Sequence, residues 1–275
     1  MSLFVASLNS GSNGNCYYVG SDDDAVLIDG GISCREIEKR MKRLGLSLRK
    51  VKGVFISHEH GDHIHGVASL SKKHHMPVYL TAGTRAAGNI RLMDEHVHLL
   101  SSDTTVTIGA LRITGFSKRH DASDPQSFLI SSDTVNVGIF TDIGVACENV
   151  IANFRQCHAA FLESNYDELM LDQGRYPLAL KNRIRGGRGH LSNKQARQLF
   201  MTHRPAFMSH LFLVHLSQNN NHPRLVRDTF YPVAGDTQII IASRERESKL
   251  FHIRNQASSR KELAPARFAE QLSMF

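Results

Sequence analysis

His58-Glu59-His60-Gly61-Asp62-His63 gathers three imidazoles and the Asp62 carboxylate within six residues. That ligand density suits two adjacent divalent cations better than one, and the mixture of imidazole and carboxylate fits Zn²⁺ or Mn²⁺. A helical H-E-x-x-H zinc motif is excluded by spacing, because Asp62 stands four residues after His58. His58 and His60 are therefore expected to converge from a strand end or loop. The preceding Val51-Lys52-Gly53-Val54-Phe55-Ile56-Ser57 reads as a buried strand, with a turn beginning at Gly61. The carboxyl ends of strands are where α/β folds keep their chemistry. Two cations held there could share a hydroxide at neutral pH and brace the attacking and leaving oxygens of a phosphoester, so the expected reaction is hydrolysis.

The ordered His-x-His-x-Asp-His run resembles the signature of the metallo-β-lactamase superfamily, whose members are αββα sandwiches. Further positions match that family in order: Asp29 after Val26-Leu27-Ile28, His120 in Lys118-Arg119-His120-Asp121, Asp142 after Gly138-Ile139-Phe140-Thr141, and His215 after Val214. Taken singly, each is an ordinary polar residue at a strand end. The resemblance implies one cation held by His58, His60 and His120, a second held by Asp62, His63 and His215, and Asp142 bridging them. It implies that Asp29 supports the ligands from behind.

Glu163 and His190 resemble a pair in the phosphodiesterase branches of the superfamily, where the Glu orients a His that bonds the phosphate and protonates the leaving oxygen. The catalytic group so implied is Asp62, Glu163 and His190. Ser192 and Gln195 are spaced as a capping box, which would set His190 just before a helix start that favours an anion. A finer resemblance is to the YycJ (WalJ) group. It rests on the loop Ser10-Gly11-Ser12-Asn13-Gly14-Asn15-Cys16, on His120-Asp121-Ala122, on Gly189-His190-Leu191-Ser192-Asn193 and on His215-Leu216-Ser217. This resemblance implies a cytoplasmic 5′-to-3′ exonuclease acting on double-stranded DNA. The Ser10–Cys16 loop has a local explanation as well, since Gly and Asn tolerate the positive φ of a tight connection. An RNA-processing nuclease or a hydrolase of a small phosphodiester would share the same residues, and a metal-binding adaptor without turnover is a further reading.

The elements that must carry these residues are strand-like runs at 4–8, 16–20, 25–28, 53–56, 78–80, 111–116, 127–130, 135–140, 159–162 and 238–242. Helical stretches near 34–44, 66–73 and 194–203 alternate with them. The pattern predicts a two-sheet core with outer helices: an α/β (α+β) chain folded as a single-domain αββα sandwich over 1–253. His65, His74 and His75 should be carried off the site by a helix after Asp62. With 33 Lys and Arg against 26 Asp and Glu, the formal charge of +7 favours a polyanionic partner. Lys181, Arg183, Arg185 and Arg188 lead into His190 and are expected to form a positive strip that holds phosphates. The absence of Trp argues against a base-stacking platform.

Cys16, Cys34, Cys147 and Cys157 show no C-x-x-C pairing and no secretory apolar segment precedes them, which fits a reduced cytoplasm. No apolar run approaches the ~20 residues that would cross a bilayer. From 254 to 275 the composition suggests a flexible tail. Its end, Gln271-Leu272-Ser273-Met274-Phe275, resembles the peptide by which bacterial DNA polymerases and repair proteins dock on the ring-shaped sliding clamp. Gln271, Leu272, Met274 and Phe275 are the residues expected to bind there.

Overall fold

The apolar runs pair into two sheets in the computed structural model, which describes residues 2–255. The first sheet contains β1 (Leu3–Asn9), β2 (Cys16–Gly20), β3 (Ala25–Ile28), β4 (Val51–Phe55), β5 (Val78–Thr81) and β6 (Val97–Leu100). The second contains β7 (Thr105–Ile108), β8 (Leu111–Ser117), β9 (Gln126–Ser132), β10 (Val135–Phe140), β11 (Ala159–Glu163), β12 (His210–Val214) and β13 (Gln238–Ile241). A last strand, β14 (Phe251–Ile253), returns to the edge of the first sheet, giving the orders β14-β1-β2-β3-β4-β5-β6 and β13-β12-β11-β10-β9-β8-β7.

Tyr17, Ile28 and Phe55 from one sheet meet Phe128, Phe161 and Phe212 from the other in the central apolar layer. The outer faces are covered by helices: α1 (Cys34–Arg43), α2 (Gly61–Ile64), α3 (Val67–His74), α4 (Ala82–Ala87), α5 (Glu148–Phe154), α6 (Glu168–Gln173), α7 (Leu178–Arg185), α8 (Asn193–His203) and α9 (Pro223–Phe230). Ile37 and Leu70 bury α1 and α3 against Leu27 and Val54. Phe154, Phe200 and Phe230 bury α5, α8 and α9 against Phe140 and Leu213. The αββα sandwich expected from the sequence is the fold. Gln271, Leu272, Met274 and Phe275, with most of the proposed tail, lie outside the described residues.

The middle of each sheet is parallel: β3 beside β4, and β10, β11 and β12 side by side. Their carboxyl ends therefore open together. Three residues there take positive φ, Asp29 at 61°, Asp142 at 54° and His215 at 55°, so the chain turns sharply as it leaves β3, β10 and β12. Strands β6, β7, β12 and β14 are additions to the sequence reading. β12 is almost wholly buried in a parallel sheet and so lacks the alternation that marks a half-exposed strand. Strands β6 and β7 are partly exposed and lack the continuous apolar run that marks the equally short β3. Helices α4 to α7 and α9, of six to eight residues, are likewise additions to the sequence reading. Among the described residues no helix is long and apolar enough to cross a membrane, and the four cysteines are free.

Candidate metal centre

The one-turn helix α2 begins at Gly61, so Asp62 and His63 point from a helix while His58 and His60 precede it from the end of β4. The donor atoms of His58, His60 and His120 lie within 4.8 Å of one another, and so do those of Asp62, His63 and His215. Asp142 joins His58 and His63 within the same limit. It stands between the two groups, with Oδ2 3.1 Å from His63 Nε2 and Oδ1 3.8 Å from His120 Nε2. His65 is exposed, and His74 bonds Glu38 at 2.7 Å on the outer helices, away from this cluster.

Outer hydrogen bonds decide which nitrogen each ring offers. Asp29 Oδ2 takes His63 Nδ1 at 2.7 Å and the Ser57 hydroxyl at 2.8 Å, leaving His63 Nε2 to face Asp142. Ser57 Oγ also meets His58 Nδ1 at 2.9 Å, and the Gly189 carbonyl accepts from His120 Nδ1 at 3.0 Å. The remaining nitrogens, His58 Nε2 and His120 Nε2, then lie 3.0 and 3.4 Å from His60 Nδ1. Lone pairs converging so closely need a cation or a shared proton between them.

Two further observations test whether a divalent metal fits. His215 Nε2 and Asp142 Oδ2 are buried without a hydrogen bond, a costly state unless something takes their lone pairs. Burial opposes charge on His63, yet Asp142, Asp29 and Asp62 hold its pKa up to about 10. The carboxylates thus call for positive charge at this point. Burial also drives His120 down to about 4, which keeps it neutral and able to ligate. The donor set fits divalent cations.

Residues that the sequence reading did not single out hold the centre together. Asn15, fully buried, brings Nδ2 to 3.1 Å from His63 Nε2 and 3.3 Å from Asp62 Oδ2, and its backbone N–H donates to the Asp62 carbonyl at 2.7 Å. Tyr17 donates to Asn15 Oδ1 at 3.1 Å and meets Ser10 Oγ at 3.0 Å, while Ser10 Oγ accepts from the His215 N–H at 2.8 Å. Lys118, also buried, donates to the Thr141 carbonyl at 2.7 Å, fixing the backbone just before Asp142. The Ser10–Cys16 loop is therefore more than a tight connection. Its Gly-Asn composition was visible, but no local pattern links position 15 to position 62.

Gly31 packs under the same support: a Cβ there would stand 1.7 Å from the Asp62 carbonyl oxygen. Gly31→Ala is expected to push α2 outward and weaken metal retention by roughly ten- to a hundredfold, as losses in the supporting shell of a metal site do. Metal analysis after dialysis checks this, with Gly61→Ala, where nothing lies within 4 Å, as the unaffected control.

Glu163, the fully buried last residue of β11, is a four-way acceptor. Oε1 receives His190 Nδ1 at 2.7 Å and His215 Nδ1 at 3.1 Å; Oε2 receives the Ile143 and Leu191 N–H groups at 2.7 and 3.1 Å. Burial alone would raise its pKa, but the His190 and His215 contacts hold it down to about 2, so it stays a carboxylate. His190 keeps 22% of its side chain in solvent, and with Nδ1 engaged its Nε2 is left for a substrate. It stands before α8, whose capping box pairs Ser192 Oγ with the Gln195 N–H at 3.1 Å and Gln195 Oε1 with the Ser192 N–H at 2.8 Å.

Helical spacing divides the basic residues of α7. Lys181 and Arg185 both reach Asp172, at 2.7 and 2.8 Å, whereas Arg183 on another face pairs with Asp121 beside His120. Arg188, beyond the helix, is exposed and forms no ion pair among the described residues. The stretch 186–189 matters in another way: Gly144, two residues after Asp142, packs under it with room for no Cβ, which would lie 2.4 Å from the Gly187 carbonyl.

Comparison with known proteins places this geometry among hydrolases. Residues 24–216 match the family model described as a beta-lactamase superfamily domain. The chain is 33% identical over 232 residues to the exodeoxyribonuclease YycJ of Bacillus anthracis, covering 82% of this chain and 87% of that protein. It is 30% identical over 227 residues to the exodeoxyribonuclease WalJ of Streptococcus pneumoniae, covering 81% and 84%. Among solved structures, the metallo-beta-lactamase fold protein YhfI of Bacillus subtilis aligns with a TM-score of 0.69 at 17% identity, over 92% of this chain and 100% of that one. The last likeness is one of fold.

Proposed function

We propose that this chain, which belongs to the β-lactamase superfamily of metal-dependent hydrolases and within it to the YycJ/WalJ group, is a cytoplasmic nuclease that removes nucleotides from 5′ ends of double-stranded DNA. The observation that carries the reading is one cluster in which Asp142 stands between two sets of histidine ligands while His190, held by Glu163, borders it from the solvent side. Two divalent ions, Zn²⁺ or Mn²⁺, would be held by His58, His60 and His120 and by Asp62, His63 and His215, with Asp142 shared. When bound, such ions activate water at neutral pH and neutralise the charge that builds on a phosphate in displacement.

The protein's own residues do the rest. Asp29 and Ser57 fix the tautomers of His63 and His58, so that ligand nitrogens need no reorganisation. Glu163 holds a proton on His190 Nδ1 and stabilises the ring when it is charged, so His190 Nε2 can bond a phosphate oxygen and give a proton to the departing 3′ or 5′ oxygen. Support for DNA as the polymer comes from the two relatives named exodeoxyribonuclease and from the excess of basic residues.

The test is digestion of blunt duplex DNA labelled at one 5′ end or the other, with Mn²⁺, beside RNA of the same sequence and with Asp62→Ala as control. Stepwise, metal-dependent release from the 5′ terminus that disappears in the variant is the expected result. Cleavage of RNA alone, or of bis-p-nitrophenyl phosphate but neither polymer, overturns the proposal in favour of RNA processing or a small phosphodiester.

A further inference from the structure

Beside the metal centre, between the loop that follows β12 and the loop that joins β13 to β14, lies a cleft of about 770 Å³, a size typical of ligand sites. Ser10 and Ser217 are among its lining residues, as are Arg244, Arg246 and Lys249, beside Glu245, Glu247 and apolar residues such as Ile240 and Phe251. It is continuous with the catalytic cluster through Ser10, whose hydroxyl accepts from the His215 N–H at 2.8 Å and whose own N–H donates to the Ser243 carbonyl at 3.2 Å.

Arg244 is seated on the loop that supports Asp62 and His63. Its carbonyl accepts from Asn13 Nδ2 at 2.8 Å, and its Cβ packs over Gly11, where an added Cβ would come within 3.4 Å. Its Nη1 is shielded from solvent yet makes no hydrogen bond. A guanidinium nitrogen held this way lacks the acceptor that its desolvation calls for, and a carboxylate or phosphate oxygen is its natural partner. The nearby carboxylates do not fill that role: Glu247 is gripped by Arg43 through two contacts of 2.6 Å, leaving Glu245 against three cations. The loop itself is pinned, because Arg40 donates to the Glu245 carbonyl at 3.0 Å and to the Leu8 carbonyl at 2.7 Å.

We infer that this cleft holds the phosphodiester backbone of a polynucleotide, with Arg244 on a phosphate neighbouring the one cleaved at the metal centre. The inference rests on the nuclease reading above and names the part of the substrate that the second wall of the site grips. A single phosphate would need one cation. Arg244, Arg246 and Lys249, three cations on the one loop that lines the cleft, suit a chain of phosphates leading away from the scissile bond.

The experiment compares the metal-loaded wild-type chain with Arg244→Ala and Arg244→Lys in two assays. One is fluorescence anisotropy with a labelled, hydrolysis-resistant phosphorothioate oligonucleotide over a salt series; the other is turnover of bis-p-nitrophenyl phosphate, which has no second phosphate. Arg244→Ala is expected to weaken oligonucleotide binding roughly ten- to a hundredfold, the loss associated with a hydrogen bond to a charged group. It should also lower the slope of log affinity against log salt by about one. Turnover of the small diester should stay unchanged, and Arg244→Lys should recover part of the binding with the full salt slope. Equal loss in both assays would mean that Arg244 only positions His215, and no loss in either would mean that the cleft takes no phosphate; each overturns the inference. If the wild-type chain binds the oligonucleotide through Arg244 but leaves natural DNA and RNA uncut, the nuclease reading fails and the cleft stands as a nucleic-acid site.

Discussion

Asp142→Asn is expected to reduce hydrolysis of any phosphodiester substrate by at least about a thousandfold, because several kcal/mol of transition-state charge stabilisation depend on paired cations. Asn is the informative replacement. Asp142 has φ of 54°, a conformation that Asn tolerates and most residues do not, so the variant removes charge without adding backbone strain. The carboxylate it removes lies 3.1 Å from His63 Nε2 and 3.8 Å from His120 Nε2, one ligand from each set. Metal analysis should find fewer ions bound per chain, while circular dichroism stays native. A variant that keeps full metal content and rate would show that the two sets act separately and would sink the shared-carboxylate reading.

Glu163→Gln and His190→Gln form the second test, and their difference carries the information. Glu163 accepts from two imidazoles through one oxygen and two backbone N–H groups through the other. Whichever way a Gln amide turns, its NH₂ must face a pair of donors in a buried site, at a cost of about 1–3 kcal/mol for each group left unsatisfied. His190→Gln leaves that network intact apart from one contact. Both variants should lose roughly 10²–10⁴-fold in kcat, the range associated with a general acid, with little change in KM. The double variant should be about as impaired as the worse single one, since the pair acts as a unit. Only Glu163→Gln should also lower metal content, because it alone disturbs His215. Additive losses, or full activity in His190→Gln, would remove His190 from the chemistry.

The site residues were legible through the His-x-His-x-Asp-His run and its family resemblance, helped by positions that follow apolar runs: Asp29 after β3, His58 after β4, Asp142 after β10. Such runs are local features, and where they stop is written in neighbouring residues. The capping box at Ser192 and Gln195 was legible for the same reason, its two partners being three residues apart. β12 was missed, although it delivers His215, because a strand buried on both faces carries no alternation. The charge of α7 was legible but its disposition was not, since Asp172 and Asp121 reach it from other segments.

By itself, then, the sequence determined a two-sheet pattern of apolar runs and a dense His and Asp motif at a strand end, because short-range spacing encodes both; the superfamily and the remaining ligands came from that motif's resemblance to a known family. The tertiary structure alone decided which nitrogen of each imidazole faces inward, that Asn15 backs Asp62, that Glu163 serves two histidines, and that Arg244 lies beside the centre with an unpaired nitrogen. Apart from the bond between neighbouring Ser57 and His58, each of these depends on a contact between segments tens to hundreds of positions apart. Such contacts follow from the way strand ends and loops are brought together in the folded chain, and no periodicity along the chain records them.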